Sequence, residues 1–234
     1  MTFTARSVSA ALWLVATPLS SVTALLREGT PTRAAVGDWV SYELGGDDVR
    51  PTYVRLGVAG EARDPGGQPA LWFDVELADH PSFNSPLLQL KLLASRAKGL
   101  QLGSISRAIV AFGYDEPREL SDEALQAMLQ PEAGEPGTPP SVKWTLKDRP
   151  AMRLMTPAGS VRAHAKEVWV ETTLWKRLWL SEDVPLLGVA QVELPPVKRR
   201  MELRGFGKGY ASKIEMPKSG DSKIRVEGYH KSQP

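Results

Sequence analysis

Hydrophobic and polar positions alternate in short runs through most of the chain after residue 36. Val40, Tyr42 and Leu44 fall on one side of an extended segment, with Ser41 and Glu43 on the other. Val54, Leu56 and Val58 repeat the pattern against Arg55, and Leu71, Phe73, Val75 and Leu77 repeat it against Trp72, Asp74 and Glu76. A period of two marks a half-buried β-strand. Gly45-Gly46-Asp47-Asp48 and Asp64-Pro65-Gly66-Gly67 supply turns between the runs. The spacing predicts an antiparallel meander with one buried and one wet face.

Two later segments read both ways. In Leu87–Ala97, Leu88, Leu90 and Leu92 suit a strand, while Pro86 as a start and Gly99 as a stop suit a helix. Ser104–Phe112 is equally open. One helix has fuller signals: Ser121 as N-cap, Asp122 and Glu123 in the first turn, and an apolar stripe of Ala124, Leu125, Met128 and Leu129 ended by Pro131. Pro131–Pro140 holds four Pro and two Gly and reads as a loop. A second β block follows, with strands expected at Met152–Thr156, Ser160–Thr172, Thr173–Leu180, Gly188–Leu194, Arg200–Phe206 and Tyr210–Met216. Residues 217–234 read as a polar tail in which Lys223–Tyr229 could add an edge strand. The expected fold is mainly β: a curved antiparallel sheet or incomplete β-barrel with one or two short helices, in a single domain over residues 25–216.

Composition narrows the function more by exclusion than by assignment. The 234 residues are 42% hydrophobic and 24% charged, with a net charge of +2, which is a globular composition. There is no cysteine, so disulfides, thiolate metal sites, iron–sulfur clusters and thiol catalysis are excluded, as is a lipid-modified cysteine. Residues 1–24 read as a secretory signal peptide: Arg6, then an uncharged apolar stretch from Ser7 to Val22, then small residues at Val22-Thr23-Ala24. Pro18 and several Ser and Thr make that stretch weak for a membrane anchor. The expected product is a soluble, periplasmic protein with no transmembrane anchor after cleavage, and further secretion stays open. Charge is uneven, −6 over Phe112–Gly137 and +6 over Lys198–Pro234. That suits a solvated surface, or a basic patch facing anionic lipid or an acidic partner. Nucleic acid is not expected, because the basic segment offers few stacking aromatics.

No catalytic signature emerges. His80, His164 and His230 are widely spaced and form no metal motif, so neither a metal nor a cofactor is expected. There is no Gly-x-Ser-x-Gly elbow. Gly205-Phe206-Gly207-Lys208-Gly209 fails the phosphate-loop pattern at both ends and reads as a bulge or hairpin. Asp74 and Glu76, roughly 7 Å apart on one strand face, have a glycosidase-like spacing. Their place opposite the apolar row predicts an ordinary wet face.

The aromatic set is more telling. In one continuous strand Trp169, Trp175 and Trp179 would share a face, with Val170, Leu174, Leu178 and Leu180 on the other. Bulky apolar groups on both faces mean a sandwiched strand or the wall of a cavity. Leu186 and Leu187, in an apolar loop after Ser181-Glu182-Asp183, would gate such a pocket or tuck under the sheet. These five residues are the candidate hydrophobic ligand site.

Gly37-Asp38-Trp39-Val40 opening a meander, a Pro-rich break, long strands, Val184-Pro185-Leu186-Leu187-Gly188, and a Met201-Glu202-Leu203 strand followed by glycines complete the layout. This order resembles exported proteins of delta-proteobacterial type, which are similar in layout to the periplasmic lipoprotein carrier (LolA-like) superfamily. The resemblance spans residues 36–216 and carries over no individual residue. It implies an incomplete barrel lidded by short helices, here Ser121–Gln130 and Ser104–Phe112, with acyl chains held on a concave apolar face. The expected function is a non-enzymatic carrier of an acyl-chain or lipoprotein ligand. The alternative is a structural adaptor that binds an envelope protein partner and has a filled core.

Overall fold

In a computed structural model, residues 34–47, 49–129, 143–218 and 223–224 are described. Eleven strands form one sheet: β1 (Trp39–Gly46), β2 (Val49–Arg63), β3 (Pro69–Ala78), β4 (Pro86–Ser95), β5 (Ile105–Phe112), β6 (Arg118–Glu119), β7 (Trp144–Thr156), β8 (Gly159–Val170), β9 (Thr173–Leu180), β10 (Val189–Leu194) and β11 (Arg199–Gly207). The strand order is β6-β5-β4-β3-β2-β1-β11-β10-β9-β8-β7, so two meanders meet where β1 pairs with β11. β6 and β7 end the sheet and do not pair, which leaves it unclosed. One α-helix, α1 (Asp122–Leu129), follows β6. The mainly β, open antiparallel architecture expected from the alternation is the observed one. Among the described residues no helix is long and apolar enough to cross a membrane. The signal-peptide segment, most of the Pro-rich loop and most of the tail lie outside the described residues.

The first three runs form the predicted meander, with Tyr42 opposite Val54 and Leu56 opposite Val75. Both ambiguous segments are strands: Leu88, Leu90 and Leu92 face Leu77, Val75 and Phe73 across β3–β4, and the segment from Ser104 to Phe112 is a 3-10 turn ending at Ser104 followed by β5 rather than a lid. Cross-strand burial of leucines wins over the Pro–Gly helix signals. Ser121 caps α1 as expected, its Oγ accepting from the Ala124 N–H at 3.2 Å. Eight of the ten strand pairings carry a register shift. Each bulge adds local twist and bends its strand, which curves the sheet.

Val40, Tyr42, Leu56, Val58, Phe73, Val75, Leu77 and Leu92 lie at the centre of one core. Leu125 of α1 joins it. So do Val184, Leu186 and Leu187 from the loop between β9 and β10. The Tyr42 hydroxyl donates to the Val189 carbonyl at 3.0 Å, tying β1 to the start of β10 through the core. Burial pushes the Tyr42 hydroxyl well above the ordinary phenol range.

The other face of β2–β4 is not wet. Asp74 and Glu76 are both 0% exposed. After β11 the chain runs back over them as an extended strap, residues 208–218, rather than as the strand expected at Tyr210–Met216. The strap is polar, so its ability to cover a sheet face leaves no hydrophobic signature. Gly57 makes the fit, because a Cβ there would stand 2.5 Å from the Tyr210 ring. The Tyr210 N–H donates to the Gly37 carbonyl at 2.8 Å, and Gly37 turns with φ +88°. The glycines of β11 serve packing: a Cβ at Gly205 or Gly207 would press on the Trp39 ring at 3.2–3.3 Å.

The two sheet ends differ. β6 has two residues and is followed at once by α1. Leu120 beyond it bridges Ile224, whose N–H donates to the Glu119 carbonyl at 2.9 Å. β7 has thirteen residues, mostly exposed, at the opposite edge. Long open edges invite pairing with other chains. Here Pro150, the register shift between Arg149 and Met152, and Lys147, Asp148, Arg149 and Arg153 interrupt that edge. The strand begins well before the expected Met152, because Pro150 in mid-run argues against a strand unless it sits at an edge or a bulge.

Candidate functional site

The tryptophans gather around a buried carboxylate. Glu167 on β8 is 1% exposed. It accepts from Trp169 Nε1 at 2.9 Å, Arg177 Nε at 2.9 Å and Arg149 Nε at 3.0 Å. Cross-strand register brings these groups together: Glu167 sits opposite Arg177 of β9 and Lys147 of β7. Burial alone would raise the Glu167 carboxyl. The bonds from Trp169, Arg177 and Arg149 outweigh it and hold the group below the usual carboxylate range. Arg177 also donates to Glu193 at 2.9 Å and lies 6.0 Å from the Trp179 ring centre. Lys147 stands 4.4 Å over the Trp169 ring.

The three tryptophans are not on one continuous strand. A turn at Glu171, with φ +54°, separates β8 from β9. Trp169 therefore lies on β8, and Trp175 and Trp179 on β9. Trp169 and Trp179 meet through the Glu167–Arg177 pair. Trp175 falls at the register shift opposite Val168 and Trp169. The small side chains of Ala165 and its strand neighbour Ala163 leave room for the Trp179 ring, which lies opposite Ala165. The indole N–H groups of Trp175 and Trp179 are buried and meet no acceptor among the described residues. Leu186 and Leu187 are 2% and 1% exposed and pack into the core, so they tuck under the sheet instead of standing open on the loop. Leu186 does so at φ +69°.

On the opposite face of the β7–β8 hairpin, Trp144 and Leu146 are exposed and Val168 and Val170 half-buried among the described residues. Trp144 lies opposite Val170 and Leu146 opposite Val168, forming an apolar patch at the base of the hairpin. Trp144 and Leu146 are 47% and 58% exposed. Contiguous exposed apolar side chains of this kind mark interaction surfaces. Sequence reasoning missed this patch. Its signal is the alternation of Trp144 and Leu146 immediately after the Pro-rich segment.

Asp74 and Glu76 are each held in a buried ion pair. Lys91 Nζ lies 3.0 Å from Asp74, and Arg55 holds Glu76 in two bonds of 2.8 and 2.9 Å. Tyr210 donates to both carboxylates, and Ser212 to Asp74. Burial raises the Asp74 carboxyl, opposed in part by Ser212, Lys91 and Tyr210. Burial and the two carboxylates push the Tyr210 hydroxyl up. The strap covers the pair, so no substrate cleft opens onto it. Among the described residues no group of three His, Asp or Glu side chains comes together as a metal site.

No protein-family model matches the chain, and no curated protein matches its sequence. Solved structures give distant likenesses. A protein from Bacteroides fragilis, described as exported and with a YmcC-like fold, is 11% identical. It has a TM-score of 0.36 and covers 77% of this chain and 100% of its own. A protein from Parabacteroides distasonis, described as a lipoprotein, is 9% identical at a TM-score of 0.31, over 77% of this chain and 99% of its own. MucB is 11% identical at 0.29, over 83% of this chain and 60% of its own. At TM-scores this low the likenesses carry no argument about site or function.

Proposed function

We propose that the chain is an exported, non-enzymatic binding module that carries an apolar ligand, an acyl chain or an acylated protein segment, at the β7–β9 end of its sheet. The observation that carries this reading is the apolar patch of Trp144 and Leu146, exposed among the described residues, with the half-buried Val168 and Val170 beside them, backed across the sheet by the Trp169–Glu167–Arg177 cluster. Covering the patch removes apolar surface from water, at about 0.8 kcal/mol per buried methylene. The N-terminal signal pattern and the LolA-like layout support export and a carrier role. The filled core favours a second reading, an adaptor that presents the same patch to an envelope protein, since Tyr42, Phe73, Leu56, Leu187 and Leu203 are all fully buried.

Native mass spectrometry of protein purified from its own host without detergent tests the reading. A stoichiometric lipid or acylated peptide, diminished in Leu146→Ser, is the expected result. A bare mass, with a protein partner captured through the same patch, would replace the carrier by the adaptor.

A further inference from the structure

On β7 and β8, Arg153 lies directly opposite Arg162. Directly opposed residues of an antiparallel pair share a face with their Cβ atoms about 5 Å apart, and like charges there repel. Both arginines are exposed, and no carboxylate among the described residues pairs with either. Nearby Arg149 and Arg177, by contrast, are both held by Glu167. The adjoining pair on the same face is Met155 opposite Ser160. A surface cleft of about 440 Å³ is lined by Met152, Arg153, Ser160, Val161 and Arg162 together with Ala151. The scaffold beneath is fixed. Thr156 Oγ1 donates to the Gly159 carbonyl at 2.9 Å, and the Ala158 N–H at the hairpin tip donates to the Leu203 carbonyl of β11 at 3.2 Å.

We propose that Arg153, Arg162 and Ser160 form an anion site for a phosphate group, whether free phosphate or the head of a phospholipid. Two guanidinium groups on one face present paired N–H donors in the geometry that suits a phosphate. The Ser160 hydroxyl adds a donor on the same face. A bound dianion turns the Arg–Arg repulsion into two attractions. Met155, 71% exposed beside the pair, gives an adjoining apolar contact. The same face of β8 runs from Arg162 through His164 and Lys166 to Val168, about 20 Å away, and Val170, about 26 Å away, at a strand's rise per residue. Headgroup and apolar patch thus stand a lipid's length apart. The anion site does not depend on the carrier reading, because inorganic phosphate alone occupies it.

Titration of the purified chain with inorganic phosphate, followed by its thermal midpoint, is the first arm. Flotation with phosphatidylglycerol or phosphatidylcholine vesicles is the second. Phosphate raises the midpoint of the wild type, and Arg153→Gln/Arg162→Gln weakens its binding at least about tenfold. Arg162→Glu raises the midpoint in phosphate-free buffer, by replacing repulsion with an opposite-charge pair, and abolishes the phosphate response. Salt-sensitive binding to phosphatidylglycerol but not phosphatidylcholine, lost in the double variant, assigns the site to a lipid headgroup. A phosphate response without vesicle binding assigns it to free phosphate. Equal behaviour of wild type and double variant in both arms overturns the proposal, and this variant changes only exposed side chains, so its fold is retained.

Discussion

The two halves of the sheet bury carboxylates in opposite ways. In β2–β4, Asp74 and Glu76 are sealed by a strap from the far end of the chain, which adds Tyr210 and Ser212 to the ion pairs with Lys91 and Arg55. In β7–β9, Glu167 is sealed by its own strand neighbours, and the reverse face of the hairpin carries Trp144 and Leu146 into solvent. In the first half the strap covers the sheet face that bears the carboxylates. The other keeps a rigid, charged and aromatic framework under an open patch. Rigidity there comes from cross-strand ion pairs, so a binding face can stay bare without the hairpin losing its geometry.

Breaking the sealed half should have the largest effect. Lys91→Ala leaves Asp74 buried without its cation and is expected to cost about 3–5 kcal/mol in chemical denaturation. A cost below about 1 kcal/mol would show that the strap does not seal the pair. Gly57→Ala should cost about 1–3 kcal/mol by forcing Tyr210 off the sheet. Limited proteolysis should then cut within residues 208–218, whereas an unchanged digestion pattern would place the strap elsewhere.

Acid separates the halves in sign. The Glu167 carboxyl is held below its ordinary value of 4.5, so its contribution is complete above that pH and is lost as pH falls through the lowered value. The Asp74 carboxyl is raised above 3.8, so its ionised form is the disfavoured one, and its contribution to stability declines as pH rises from 3.8 to the raised value. Carboxyl-detected NMR titration should find Asp74 titrating above 3.8 and Glu167 titrating below 4.5. A value for Asp74 at or below 3.8, or for Glu167 at or above 4.5, would contradict the environment described for that group. The smallest effect on stability is expected at the open half. Leu146→Ser should shift stability by no more than about 0.5 kcal/mol, as surface substitutions do, while lowering ligand occupancy.

Local pattern made much of the fold legible. Alternation located β1 to β3 and most of β8 to β11, and Ser121 located α1, because each of these signals lies within a few residues of the element it marks. Cover was not legible. The row of Asp74 and Glu76 looks like a solvent face, and only a polar strap more than 130 residues away makes it an interior. Within the candidate site, the Trp169 and Trp179 association was readable but its cause was not. The boundary expected at Thr172–Thr173 is a turn at Glu171, which puts the tryptophans on two strands, and Glu167 with its three donors emerges only from the resulting register. Leu186 and Leu187 carry no local mark that separates a gate from a core plug. The Arg153–Arg162 pair likewise exists only once β7 and β8 are in register.

Photo-crosslinking with a diazirine-bearing fatty acid, mapped by peptide mass spectrometry, tests the central claim most directly. The account predicts labels on β7 to β9, centred on Trp144, Leu146 and Val168, and none on Asp74, Glu76 or the strap above them. Labelling of the strap-covered face, or a labelling pattern unchanged by Leu146→Ser, would contradict it.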